Sequence, residues 1–198
     1  IIYFLMTSLS ICIPTYNRSK SLDDCLNSIL ISQKNTDNFD LEVCISDNSD
    51  NNLSLIVVEK YKNYLKIKYK KNEKNLGFGL NAIQSLNLAN GKYSWMIGDD
   101  DLILPNSLLD LKKIFELNNQ IDYFFINSYF LNKKFLNKFE RPLNTNLIDK
   151  EFLKPMSNLK ESKKVPFWDI IDPKISWDFL IGIFFSVFRT SKWKNSLH

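Results

Sequence analysis

The residues that could do chemistry fall in three short clusters. "GDDD" (98–101) sets Asp99, Asp100 and Asp101 directly behind an apolar run. Neighbouring carboxylates about 5 Å apart repel by roughly 3 kcal/mol per pair at an effective dielectric of about 20, so something positive is expected among them. Hard divalent ions such as Mg2+ or Mn2+ prefer carboxylate oxygens, and Mg2+ is usually held by one or two carboxylates together with phosphate oxygens of a substrate. On extended backbone successive side chains diverge, so at most two of the three can face one ion, leaving the third for a ribose or for backbone amides. The competing reading is an acidic turn favoured by the dipole of the helix near Pro105.

Asp47, followed by Asn48, Ser49 and Asp50, reads either as an Asx turn or N-cap, or as an acceptor for a nucleobase ring N–H. "PTYNR" (14–18) reads either as a plain turn or as a binding segment. In the second case Tyr16 offers a face to a base and Arg18 a fork for phosphate. "NEKNLGFG" (72–79) has neither the spacing of a phosphate-cradling P-loop nor that of a dinucleotide fingerprint. Gly77 and Gly79 there give the backbone room near a ligand.

Alternating strands and helices must position these clusters. "SLSICIP" (8–14) predicts a buried strand, and Leu22, Cys25, Leu26, Ile29 and Leu30 predict the next helix, capped by Ser19 or Ser21. "FDLEVCISDNSDN" (39–51) repeats the theme, with Leu53, Ile56, Val57 and Tyr61 on one face of a second helix. "LKIKYKKN" (65–72) alternates as a strand with one wet face does. A helix through Leu80, Ile83 and Leu86 is expected to end at Gly91, and "KYSWMIG" (92–98) is the strand that delivers the aspartates. Pro105 opens a further helix, and "IDYFFINSYF" (121–130) reads as one more strand. Alternation with short connections predicts a mostly parallel α/β sheet, whose ligands bind beyond the carboxyl ends of the strands. All three polar clusters fall on that rim.

Composition narrows the function classes. A chain of 198 residues that is 44% hydrophobic can bury a substantial core. Its net charge is +4, and the lysines are spread among acids and asparagines, so nucleic-acid binding is not expected. Cys12, Cys25 and Cys44 lack metal-type spacing and read as free core thiols of a cytosolic protein. No apolar run is long enough for a membrane span, and "IIYFLM" lacks the basic flank of a signal peptide. "FLIGIFFSVF" (179–188) reads as a buried strand or helix, with contact at a membrane interface as the alternative.

In this order and spacing, "SICIPTYNR", "EVCISDNSD" and "NEKNLGFGLNAIQSLNLANGKYSWMIGDDDLILP" resemble the N-terminal half of family-2 glycosyltransferases of the GT-A fold. The similarity is greatest to the bacterial O-antigen branch with its abequosyltransferase-like members. The resemblance implies an α/β, Rossmann-like, mostly parallel central sheet flanked by helices. It implies a nucleotide-sugar-binding half over residues 7–130 and an irregular, incomplete acceptor-side region over residues 131–198. It also implies a nucleotide-diphospho-sugar donor, a polysaccharide or lipid-linked glycan acceptor, a Mg2+ or Mn2+ ion, and work in the cytoplasm or at the inner face of a membrane.

By the same resemblance Pro14, Thr15, Tyr16 and Asn17 line the nucleoside, Asp47 pairs with the base and Asp99 contacts the ribose. Arg18, Asn75 and Gly77 complete the donor side. Asp100 is the main metal ligand and Asp101 assists it. The commoner family pattern has a further aspartate where this chain has Gly98. Members that invert at the anomeric carbon carry their base beyond a segment similar to the end of this chain. Asp169, Asp172 and Asp178, each near an aromatic, are the candidates here, with Asp178 preferred among them and a surface or capping residue as its competing reading, and His198 is assigned no role.

Three rivals stand beside that reading. One is a donor-binding remnant without turnover. Another is a sugar nucleotidyltransferase, which needs a glycine-rich basic loop where "PTYNRS" has no glycine. The last is a structural protein with an acidic turn.

Overall fold

A computed structural model describes residues 8–157, 161–162, 164–166 and 183–196. The elements run β1 (Leu9–Thr15), α1 (Ser19–Lys34), β2 (Leu41–Asp47), α2 (Leu53–Tyr61), β3 (Ile67–Lys71), α3 (Phe78–Asn87), β4 (Tyr93–Met96), α4 (Ser107–Leu117) and β5 (Tyr123–Phe125). Shorter pieces follow: β6 (Tyr129–Leu131), α5 (Lys133–Lys138), β7 (Leu153–Pro155), β8 (Ser186–Arg189) and α6 (Thr190–Ser196). Six strands form one sheet in the order β3-β2-β1-β4-β8-β5, and β6 pairs with β7 in a separate ribbon. Strands β1 to β4 are mutually parallel, while β8 runs antiparallel to both β4 and β5. This is an α/β architecture, a mostly parallel sheet flanked by helices.

Strands β1 and β2 are buried at every residue, as strands covered on both faces must be. Leu9, Ile11 and Ile13 face α1 and α4 in one apolar cluster that also takes in Leu22, Leu26, Ile29 and Leu108. On the other face Cys12, Cys44 and Met96 meet Ala82 and Leu86 of α3. The three cysteines are free and buried, in accord with their reading as core thiols.

The chain visits β1, β2 and β3 in one direction, then returns through α3 to place β4 on the opposite side of β1. That reversal opens a crevice between the carboxyl ends of β1 and β4, where ligands of such sheets bind. Cys12 lies opposite Met96, so the same register carried three residues further brings Thr15 beside Asp99.

Several expectations are corrected. The segment 121–130 is two strands, because β5 pairs with β8 while Ser128 accepts from Met156 N and turns β6 into the ribbon with β7. Helix α1 starts at Ser19 with Arg18 at its cap position and no side-chain cap bond, so neither Ser19 nor Ser21 caps it. Helix α2 buries Ser54, Val57, Val58 and Tyr61, leaving Leu53 and Ile56 exposed. Helix α3 stops at Asn87, short of Gly91. A Cβ at Gly91 would lie 2.8 Å from Ser10 N and 2.9 Å from the Leu9 carbonyl carbon, so this glycine serves close packing against β1.

Pro105 precedes α4 without entering it. Within "FLIGIFFSVF", residues 186–188 belong to β8, with Ser186 and Val187 buried, whereas residues 179–182 lie outside the described residues. Since β8 sits between β4 and β5, the sheet draws on both sides of a boundary at residue 130. Among the described residues no helix is long and apolar enough to cross a membrane.

Candidate active site

At the end of β1 the backbone turns sharply through Asn17, whose φ of 54° lies in the left-handed region that asparagine tolerates better than most residues. Asn17 N donates to Ser49 Oγ at 2.8 Å and Asn17 Oδ1 accepts from Asn51 Nδ2 at 3.0 Å. The β1 and β2 loops therefore brace each other. Tyr16 is left 48% exposed above the crevice.

Asp47 ends β2 and is fully buried. Its Oδ1 accepts from Ser49 N at 2.8 Å and its Oδ2 from the Tyr69 hydroxyl at 2.7 Å. Burial, and then Asp47, push the Tyr69 phenol well above its ordinary pKa, so Tyr69 stays a donor. Asp47 thus builds the turn and lies behind the cavity wall.

An asparagine network fills the gap between the ends of β2, β3 and α3. Asn72 Nδ2 donates to Ser46 Oγ, Asn48 Oδ1 and Asn81 Oδ1, and Asn81 Nδ2 donates to the Thr15 carbonyl. Asn48 Nδ2 donates to Asn75 Oδ1 at 2.9 Å, and Gly77 N reaches the same oxygen at 2.8 Å. With its oxygen held twice, Asn75 turns its amide N–H groups outward as donors. Gly77, at φ 78°, adopts a conformation that a side chain would strain.

The aspartates end β4. Thr15 Oγ1 donates to Asp99 Oδ2 at 2.7 Å. The Arg18 guanidinium straddles two carboxylates, with Nη2 at 2.8 Å from Asp99 Oδ1 and Nη1 at 2.8 Å from Asp100 Oδ2. The positive group that the acidic run demanded is therefore Arg18. Gly98 N donates to Asp101 Oδ2 at 2.7 Å. Burial pushes the carboxyl groups of Asp99 and Asp101 above their ordinary values. Thr15 and Arg18 work against that rise at Asp99, as does the Gly98 N–H at Asp101. Ionising both at neutral pH therefore leaves charge that a cation would relieve.

A Cβ at Gly98 would lie 2.8 Å from Asp100 Oδ1 and 3.1 Å from Asp101 Oδ2, so two carboxylate oxygens converge over the glycine. Among the described residues no three His, Cys, Asp or Glu side chains gather as a ligand set. Two hard oxygens close to the Arg18 guanidinium nonetheless suit Mg2+ or Mn2+, which take their remaining ligands from substrate and water. The residues present fit such an ion.

The crevice encloses about 560 Å3, within the range of small-molecule sites. Of the residues expected there, Pro14, Thr15, Tyr16, Arg18, Asn75, Gly77, Asp100 and Asp101 line it. Asn17, Asp47 and Asp99 do not, because each is turned into the bonds that hold the rim. Asp178 lies outside the described residues. The wall also contains Asn48, Phe78, Asn81 and Phe184, which sequence reasoning missed. Asn48 and Asn81 carried a signal, being amides beside Asp47 and four residues past Gly77. Phe184, packed edge-on to Phe78 at 6.1 Å, carried none.

Comparison with known proteins agrees with this geometry. Glycosyl transferase family 2 matches the chain over residues 10–183. The abequosyltransferase RfbV of Salmonella typhimurium is 39% identical over 118 residues, covering 59% of this chain and 34% of RfbV. The uncharacterized glycosyltransferase MJ1057 of Methanocaldococcus jannaschii is 31% identical over 161 residues, covering 80% of this chain and 51% of MJ1057. Residues 1–349 of Staphylococcus aureus TarS, solved with UDP-GlcNAc, superpose with a TM-score of 0.69 at 24% identity. That match covers 96% of this chain and 47% of TarS 1–349, and it speaks to the fold. The chain thus spans about a third to a half of the length of these relatives.

Proposed function

The chain belongs to glycosyl transferase family 2, and from that premise we propose that it moves a sugar from a nucleotide-diphospho-sugar to an oxygen of a glycan or lipid-linked acceptor. The observation that carries this reading is the cavity at the β1–β4 crevice, with Tyr16 and Arg18 on one side and Asp100 and Asp101 on the other. A base can stack on Tyr16, and the outward N–H groups of Asn75 can meet carbonyl or phosphate oxygens. Asp99, held behind the rim by Thr15 and Arg18, is the proposed ribose contact, reached when Arg18 turns away. Asp47 is the proposed base contact, reached when the Tyr69 hydroxyl or the turn at residues 48–51 gives way. The likeness to a fold solved with UDP-GlcNAc supports the donor class.

A diphosphate entering the crevice competes with Asp99 and Asp100 for the Arg18 fork. As Arg18 turns to phosphate, Asp100 is released for the cation. Asp100 and Asp101 would hold Mg2+ or Mn2+, which when bound supplies Lewis-acid relief of the charge on the departing diphosphate. The acceptor oxygen attacks the anomeric carbon as the bond from that carbon to the diphosphate oxygen breaks. The bonding pair leaves with the nucleotide diphosphate, the acceptor proton passes to a base, and configuration inverts. Asp178 is the proposed base.

The test is turnover by the 198-residue chain with UDP-, dTDP-, CDP- and GDP-sugars in the presence of Mn2+. Release of a nucleotide diphosphate from one of them, slowed at least about a hundredfold in Asp178→Asn without loss of donor binding, is the expected result. A chain that binds nucleotide diphosphate tightly and releases none from any donor would establish the donor-binding remnant instead.

A further inference from the structure

Asn72 directly follows β3 and is buried behind the donor crevice, whereas Asn48, Asn75 and Asn81 line it. Its main chain is fixed by a 2.8 Å bond from Asn72 N to the Asp47 carbonyl. Its Nδ2 meets three oxygens, Asn48 Oδ1 at 2.9 Å, Ser46 Oγ at 3.0 Å and Asn81 Oδ1 at 3.1 Å.

The two ends of a carboxamide are alike in shape and opposite in hydrogen bonding, so what each asparagine offers the crevice depends on what holds its other end. Main-chain groups set the direction here, because a carbonyl only accepts and an N–H only donates. The Thr15 carbonyl takes Asn81 Nδ2 at 3.0 Å, which leaves Asn81 Oδ1 for Asn72. The Gly77 carbonyl takes Asn48 Nδ2 at 3.3 Å, and the Gly77 N–H donates to Asn75 Oδ1 at 2.8 Å. Asn48 Nδ2 also donates to Asn75 Oδ1 at 2.9 Å. With Asn72 Nδ2 on Asn48 Oδ1, every link runs the same way, and Asn75 is left with N–H groups to present.

We infer that Asn72 is a positioning residue for the nucleotide: it acts through Asn48 to hold Asn75 as a hydrogen-bond donor to an acceptor oxygen of the nucleoside. The nucleoside is the part concerned because β3, which leads to Asn75, and β4, which carries Asp100 and Asp101 at its end, lie on opposite sides of β1. An acceptor at position 72 would face Asn48 Oδ1 and Asn81 Oδ1. Asn81 cannot turn, since its Nδ2 is needed at the Thr15 carbonyl. Were Asn48 to turn, its oxygen would meet Asn75 Oδ1 and the Gly77 carbonyl, acceptor against acceptor, and Asn75 would lose one of its two holds. The inference rests on the donor reading above, and its test separates the two.

Titration calorimetry of the full chain with Mn2+ would compare UDP, dTDP, CDP and GDP with inorganic pyrophosphate, which lacks a nucleoside. Asn72→Asp is expected to weaken the tightest-bound nucleotide about tenfold and to leave pyrophosphate unchanged. Asn75→Ala should weaken that nucleotide about equally, and the double variant Asn72→Asp, Asn75→Ala no further, because two changes on one path do not add. Asn72→Ser, which removes the donors without adding charge, is the second arm should the aspartate prevent folding, and the same pattern is expected of it. Losses that add, or equal weakening of nucleotide and pyrophosphate, would overturn the inference. The path is also read without ligand, by NMR of hydrogen exchange at the Asn48 side-chain amide, which should quicken about tenfold in Asn72→Ser. Unchanged exchange would overturn the inference as well. Quickened exchange in a chain that binds none of the four nucleotides would uphold the hold of Asn72 on Asn48 and strike the donor reading instead.

Discussion

Thr15 Oγ1 and Asp99 Oδ2 are joined by a 2.7 Å hydrogen bond that spans 84 residues of sequence. It fastens the end of β1 to the end of β4 across the crevice where the strand order reverses. Asp99 is fully buried, so Thr15 is one of few groups able to stabilise its charge.

Replacing Thr15 by valine keeps the shape and removes the donor. A buried carboxylate that loses one partner costs about 1 to 3 kcal/mol. Thr15→Val should lower unfolding stability in urea by that amount, while Thr15→Ser, which keeps the hydroxyl, should lose less. Equal losses in the two variants would show that the bond does not hold the rim together.

Gly98 sits where a side chain would meet the two carboxylate oxygens proposed to face the ion. Because Asp100 is exposed and can move aside, Gly98→Ala should leave the melting temperature of the free protein nearly unchanged. The Mn2+ and nucleotide diphosphate concentration needed for half-maximal stabilisation should rise about tenfold, equivalent to about 1.4 kcal/mol. An unchanged concentration requirement would place the ion elsewhere.

Glu42 lies on β2 and is buried. Its Oε1 accepts from Ser10 Oγ at 2.7 Å and Asn90 N at 2.6 Å, and its Oε2 lies 2.8 Å from Lys68 Nζ. Burial alone would raise its pKa, but Lys68, Asn90 and Ser10 together hold it below the ordinary value of 4.5. A lowered carboxyl adds stability above its unfolded-state pKa and loses it as pH falls through the folded-state value. Glu42→Gln should therefore cost about 2 kcal/mol at neutral pH, and the gap should close as acidification passes below pH 4.5 and through the lowered folded-state value. Urea unfolding at both pH values checks the sign. A gap that widens in acid would contradict it.

The parts of this fold that were legible in the sequence are those set by local pattern. Strands β1 and β2 are rich in Leu, Ile, Val and Cys and buried on both faces, and the helices after them bury residues at helical spacing, so their neighbours in space follow from their own residues. Strand β8 could not be read that way. Nothing in "SVFR" says that it runs antiparallel between β4 and β5, since that pairing depends on residues more than sixty positions away.

The site divides along the same line. Asp100, Asp101, Tyr16 and Arg18 line the cavity as their types suggested. The partner of Arg18 depended on three-dimensional register, which brought it onto Asp99 and Asp100. Asp47 and Asn17 were drawn into loop-building bonds with Tyr69 and Ser49. Those partners come from other strands and loops, beyond the reach of a local motif.

The central claim is that Asp100 exchanges its Arg18 partner for a cation bound to a pyrophosphate. Thermal melting of the unaltered chain and of Asp100→Ala, each with UDP, dTDP, CDP and GDP in the presence and absence of Mn2+, tests it most directly. The account predicts a Mn2+-dependent rise in melting temperature with at least one nucleotide for the unaltered chain and none for Asp100→Ala. The same rise in both proteins would contradict it.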